Sequence, residues 1–116
     1  MLNSCNLVGT IVKMPYILKD SKDFEHLMFD LEVERPFRNS EGEYEADVFP
    51  VEIWDGEADY LMETSEPGDY ISVRGRLSTL HCNNGDQKIT QVIVTGESFG
   101  YLTKRIRSLK KKNASE

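Results

Sequence analysis

Residues 67–77 read PGDYISVRGRL. Pro67 and Gly68 predict a turn, because proline presets one backbone angle and glycine accepts the positive φ that other residues avoid. A strand is expected directly after it. Ile71, Val73 and Leu77 alternate with Ser72, Arg74 and Arg76, the period of a strand with one buried and one exposed face. Gly75 interrupts the run, and glycine inside a strand marks a bulge or sharp bend, the device that lets a short sheet curl into a barrel. Arg74 and Arg76 on the outer face of a bent strand point to an anionic ligand.

Upstream, Phe49, Val51 and Ile53 form the inner face of another strand and leave Val48, Pro50, Glu52 and Trp54 on the other, so Trp54 is expected to point away from the core. After it, Asp55 caps a short helix in which Ala58, Leu61 and Met62 share a face, ending before Pro67. Earlier still, Phe29, Leu31 and Val33 alternate with Asp30, Glu32 and Glu34, a strand that Pro36 ends or places at an edge. The first strand is expected in NLVGTIVKM, where Leu7, Val8, Ile11 and Val12 flank Gly9 and Pro15 interrupts. Residues 19–26 read as a polar turn, and Arg38–Asp47 as a mobile hairpin loop. Downstream, Asn83-Asn84-Gly85-Asp86 carries the Asn-Gly pair of tight hairpins, and Ile89–Val94 supplies a fifth strand. Five strands, a helix between strands three and four, and glycine bends in strands one and four predict an all-β protein: a five-stranded OB-fold Greek-key barrel with one short helix.

With 116 residues the chain fits one domain that can bury a core without metal or disulfide support. The domain is expected over residues 1–102, followed by a basic tail over 103–116 in which Leu102, Ile106 and Leu109 recur at helical spacing. The net charge of −6 is unevenly spread: residues 1–103 hold 8 Lys and Arg against 19 Asp and Glu, and residues 104–116 hold 6 against 1. An acidic body repels nucleic acid, so phosphate binding must rest on local clusters of Arg and Lys. No apolar run approaches the roughly 20 residues of a membrane helix and no signal-peptide pattern opens the chain, so a cytoplasmic protein is expected. Cys5 and Cys82 read as reduced thiols, and neither they nor His26 and His81 have the paired spacing of a metal site. No metal, cofactor, small-molecule substrate or membrane partner is expected. Asp55, Glu57 and Asp59 read as a helix cap and polar face, and no nucleophile or phosphate loop is visible, so the chain is read as not an enzyme.

NLVGTI near the start, VERPF closing strand two, EIWDGEADYL entering the helix and PGDYISVRGRL, in that order over about residues 3–102, resemble the bacterial single-stranded DNA-binding protein family. The resemblance implies a homo-oligomer, a tetramer or dimer, whose barrels hold single-stranded DNA through stacking aromatics and basic side chains in replication, repair and recombination. It implies that Phe37 stands at a stacking position after strand two and Trp54 at one ending strand three. Two further aromatic positions fall on Val48 and on His81 or Cys82, so weak binding is expected unless Tyr16 or Tyr44 compensates. The family's acidic recruiting tail is replaced by LKKKNASE.

The candidate nucleic-acid contacts are therefore Lys13, Arg35, Phe37, Arg38, Trp54, Arg74, Arg76 and Lys88. Phe37 lies between Arg35 and Arg38, interleaving aromatic and basic groups as a strand-binding groove requires. Two readings stay open for Trp54, stacking or covering a dimer interface. Two also stay open for Arg74 and Arg76, which contact phosphate or pair with Glu32, Glu34 or Glu52. The competing function is an OB-fold interaction or primosomal-type accessory module with little DNA affinity, since this fold serves many functions.

Overall fold

The structure, a computed structural model, describes residues 1–54, 60, 61, 63 and 65–102. Five strands, β1 (Cys5–Lys19), β2 (Glu25–Arg38), β3 (Tyr44–Glu52), β4 (Tyr70–Asn84) and β5 (Gln87–Tyr101), close a barrel in the order β1-β2-β3-β5-β4. This is the expected OB-fold architecture. Neighbours run antiparallel except at the seam, where β3 meets β5 in parallel through Val51 opposite Val94 and Glu52 opposite Thr95.

The quoted turn anchors the closure. Gly68 takes φ 98°, and its N–H donates to the Ile11 carbonyl at 2.7 Å while the Ile11 N–H donates back to Asp69 O at 2.9 Å. β4 then pairs with the first half of β1, from Thr10 opposite Tyr70 to Cys5 opposite Gly75. The second half of β1 pairs with β2, so one long strand serves two neighbours. Glycine is required where the strands cross closely: a Cβ on Gly9 would overlap the Glu32 carbonyl and one on Gly75 the Thr95 carbonyl. The expected irregularity is present between Arg74 and Gly75, where β5 carries Glu97 as an extra residue.

Alternation fills the interior. Ile11, Phe29, Leu31, Val51, Ile53, Ile71, Val73 and Val94 form one cluster with Leu61, and Val33, Phe49 and Phe99 pack against it. Burying each such side chain contributes about 1.5–3 kcal/mol, which is why the periodic strands alone define the core.

Several expectations need correction. Leu77 was expected inside but is 51 % exposed. Pairing with β1 ends at Gly75, so β4 continues as a two-stranded ribbon with β5 and Leu77 has no opposing sheet. There the Asn3 side chain brackets the Leu77 backbone, donating to its carbonyl at 2.8 Å and accepting its N–H at 3.0 Å. Pro15 does not end β1, which absorbs it through register shifts between Ile11 and Tyr16 and runs on to Lys19. Nor does Pro36 end β2. The loop expected over Arg38–Asp47 shrinks to residues 39–43, tied by Asn39 Oδ1 accepting the N–H groups of Glu41 and Glu43 at 2.9 and 3.0 Å. The hairpin turn falls on Gly85 and Asp86, with Asn84 already paired to Gln87, and β5 extends well past Val94. Of the expected helix, Tyr60, Leu61 and Glu63 have helical backbone. Its start at Asp55, together with Glu57, Ala58, Asp59 and Met62, lies outside the described residues, as does the tail from residue 103. Among the described residues no helix is long and apolar enough to cross a membrane.

Candidate nucleic-acid interface

The outer surface of the β1-β2-β3 sheet is set by the same alternation that fills the core. Asp30, Glu32 and Glu34 of β2 stand opposite Pro50, Val48 and Ala46 of β3. Phe37, 62 % exposed, lies near the end of β2, and Trp54, 60 % exposed, follows the end of β3. Because the strands are antiparallel and the Ile53 N–H donates to Leu27 O at 2.9 Å, Trp54 sits beside the start of β2. The two aromatics bracket about ten residues of β2, roughly 33 Å of strand. A ligand touching both must follow the ladder.

At the Phe37 end, Arg38 pairs with Tyr44 across the ladder, and its guanidinium lies over the Tyr44 ring, 5.3 Å from the centroid. Arg38 and Tyr44 thus form one aromatic and basic pair, with Arg38 next to Phe37 in sequence. Arg35 is differently employed. Its Nε and Nη2 donate to Asp47 at 3.0 and 2.8 Å and its Nη1 to Glu45 at 2.7 Å. Those hydrogen bonds hold the Asp47 carboxyl below the usual carboxylate range and raise the Arg35 guanidinium further. Arg35 therefore neutralises two carboxylates instead of presenting a free cation.

Midway along the ladder, Lys13 stands opposite Asp30. The Tyr16 hydroxyl donates to Asp30 Oδ1 at 2.5 Å, and Lys13 Nζ lies 4.8 Å from the Tyr16 ring centroid. Burial, reinforced by the hydrogen bond to Asp30, pushes the Tyr16 phenol up. Lys13 and Tyr16 cover one acidic group of the central stretch, while Glu32 and Glu34 line a neighbouring groove with Val8 and Tyr70. Val48 faces Glu32 across the ladder.

At the Trp54 end the indole N–H donates to Glu52 Oε1 at 3.2 Å, and an open groove of about 380 Å³ runs between Trp54, His26 and Glu25. The β1–β2 turn continues this end: the Ser21 N–H donates to the His81 carbonyl at 2.6 Å, joining the turn to the β4–β5 ribbon. Lys22 and the exposed Phe24 line a hollow with His81 there. Lys88 stands farther out on the ribbon, opposite Asn83. Phe24 and His26 were missed in the sequence; the run Lys22-Asp23-Phe24 carried an aromatic and basic signal, and His26 carried none.

The remaining arginines lie elsewhere. Arg74 is exposed beside a groove between β1, β4 and β5 shared with Asn6 and Ser98. Arg76 meets Glu97 at 3.4 Å and donates to Ser78 Oγ at 3.0 Å, so its partner is a carboxylate of the bulge and not Glu32, Glu34 or Glu52.

Residues 2–102 match the model of the "Single-strand binding protein family". A single-stranded DNA-binding protein 1 of Streptococcus pyogenes is 31 % identical over 106 residues, covering 90 % of this chain and 82 % of the relative. The protein of that name from Lactococcus lactis is 31 % identical over 103 residues, covering 88 % and 69 %. In three dimensions the chain is similar to the Plasmodium falciparum SSB in complex with ssDNA, with a TM-score of 0.67 at 18 % identity over 87 % of this chain and 95 % of that one. The small single-stranded DNA-binding protein of Streptomyces coelicolor gives a TM-score of 0.63 at 19 % identity, covering 90 % and 99 %.

Proposed function

The chain belongs to the single-strand binding protein family, and from that premise we propose that it binds single-stranded DNA without sequence preference, through bases stacked on Phe37 and Trp54. The observation that carries this reading is the exposure of those two aromatics at opposite ends of one OB-fold ladder. Each ring leaves a face open to solvent, and every base has a face to stack on it. Arg38, Lys13 and Lys88 supply backbone contacts along the path, with Arg74 and Arg76 engaging DNA that passes over the β4–β5 side. Arg35 acts indirectly, by cancelling Asp47 and Glu45.

The acidity of the central stretch limits the affinity. Glu32 and Glu34 oppose phosphate where a third platform is lost at Val48, so binding is weak and responds modestly to salt. We further propose a homo-oligomer, tetramer or dimer, joined through the β1 face, where Val8 and Tyr70 expose apolar surface on adjoining strands. Residues 103–116 act as a basic arm that adds phosphate contacts the body lacks. The protein works in the cytoplasm, in replication, repair and recombination.

The test is a titration with oligo-dT at low and physiological salt, followed by the fluorescence of Trp54, the one tryptophan of the chain. Saturable quenching that duplex DNA does not reproduce supports the proposal. No binding at low salt overturns it and leaves the interaction module as the reading.

A further inference from the structure

Four side chains from three segments form a line that ends on the indole. Asp20, in the β1–β2 turn, is fixed by its own backbone: Oδ1 accepts the N–H groups of Lys22 and Phe24 at 2.8 and 3.0 Å. Its other oxygen lies 3.0 Å from His26 Nε2. His26 Nδ1 meets Glu52 Oε2, and Glu52 Oε1 accepts the Trp54 N–H at 3.2 Å with Thr95 Oγ1 at 3.4 Å. Trp54 lies two residues past the end of β3, beyond the last backbone bond at Ile53, so the backbone ladder does not fix its ring. The polar tether is Glu52, held on one oxygen by His26 and sharing the other between the indole and Thr95.

We propose that His26 is a positioning residue for the Trp54 platform, holding the Glu52 carboxylate in the orientation that fixes the exposed indole. The proposal rests on the reading of Trp54 as a stacking surface. Asp20 and Glu52 are acceptors when ionised, so His26 satisfies both only as an imidazolium with a proton on each nitrogen. Its surroundings favour that form. Glu25 lines the same groove and Lys19 pairs with Glu25 from β1, while the β1 residue opposite His26 is Leu18 and β5 contributes Thr95. The hydrogen bond to Asp20, opposed by partial burial and aided by Glu52, raises the imidazole above its ordinary value. Loss of the proton turns one ring lone pair toward a carboxylate and adds net negative charge beside the platform. The first effect frees Glu52 and with it the indole, and the second repels a polyanion, so affinity falls as pH rises.

The experiment follows Trp54 emission and acrylamide quenching in the free protein from pH 5.5 to 8.5. A single step is expected in the parent, no step in His26→Gln, and none in Glu52→Gln, whose amide oxygen still accepts the indole proton without needing a charged partner. Across the same step the Kd for oligo-dT at constant ionic strength should rise about threefold to tenfold, the worth of one hydrogen bond, and stay level in both variants. A step that persists in His26→Gln, or a parent without one, overturns the proposal. Trp54→Ala separates the two readings: unchanged oligo-dT affinity in that variant ends the stacking role, while the step in free parent protein still reports the positioning.

Discussion

Replacing Phe37 with alanine separates a binding surface from a structural one. Phe37 is 62 % exposed, lies within the irregular stretch between Glu34 and Arg38 of the β2–β3 ladder and is outside the core cluster, so its ring supports no core residue. Surface truncations of this kind fall within about ±0.5 kcal/mol, which for a domain near 100 residues is a shift in Tm below about 4 °C. A stacking platform is worth roughly 1–3 kcal/mol per base, which corresponds to about a 5-fold to 150-fold rise in Kd. The two scales differ enough for one variant to tell them apart. Trp54 stands at the far end of the ladder, so its fluorescence reports oligo-dT binding with the probe untouched, and Phe37→Tyr should retain most of the affinity. Unchanged Kd in Phe37→Ala at both salt concentrations refutes the stacking assignment. A Tm falling by more than about 8 °C would show instead that the ring supports the fold.

Three further outcomes are expected. Gly75→Ala forces a methyl group into the Thr95 carbonyl and should cost about 1–3 kcal/mol, read by calorimetry; an unchanged Tm would mean that the β4–β5 crossing can widen. His26 is raised in the folded protein, mainly by its hydrogen bond to Asp20, so its contribution to stability is complete below about pH 6.5 and is lost as pH climbs through the raised value. Asp20 is lowered by the same bond, so its contribution is lost as pH falls through its own depressed value, and a pH series of Tm should show the loss on both sides. Arg74→Ala should flatten the log–log salt dependence of oligo-dT binding by about 0.7, whereas Arg35→Ala should weaken binding with little change of slope, because Asp47 and Glu45 already occupy that guanidinium. Equal slope changes in the two variants would contradict the separate roles.

The parts of the fold legible in the sequence were those where a strand has one buried and one wet face. Phe29, Leu31, Val51 and Ile53 were placed correctly because period-two alternation survives wherever a sheet covers a single core. Strand ends were not legible. Pro15 reads as a breaker by propensity, yet a register shift beside it lets β1 continue, and Leu77 keeps the inward period after the sheet that would cover it has stopped. At the site, the exposure of Trp54 follows from the strand period, and Phe37 is singled out by family position and its basic neighbours. The employment of Arg35 and the line from Asp20 to Trp54 were not legible, because both join residues of different strands whose register no local pattern specifies. Arg35 reads as a phosphate ligand from its neighbours in sequence, while across the ladder its guanidinium is engaged by Asp47 and Glu45.

A ribosome delivers this barrel in an order that leaves it open until nearly the end. β1, β2 and β3 emerge first and can pair as consecutive hairpins, but the parallel seam needs Val94 and Thr95 opposite Val51 and Glu52. At about 5–20 residues per second the intervening forty-odd residues take roughly 2–9 s to make. Throughout that interval the inner face carrying Phe29, Leu31 and Val51 has no lid, and the β3 edge offers unpaired backbone to any strand nearby. The carboxylates of Asp30, Glu32 and Glu34 stand on the reverse of that same sheet. On nascent chains crowded along one messenger their like charge opposes association of neighbouring copies while the sheet is still unfinished.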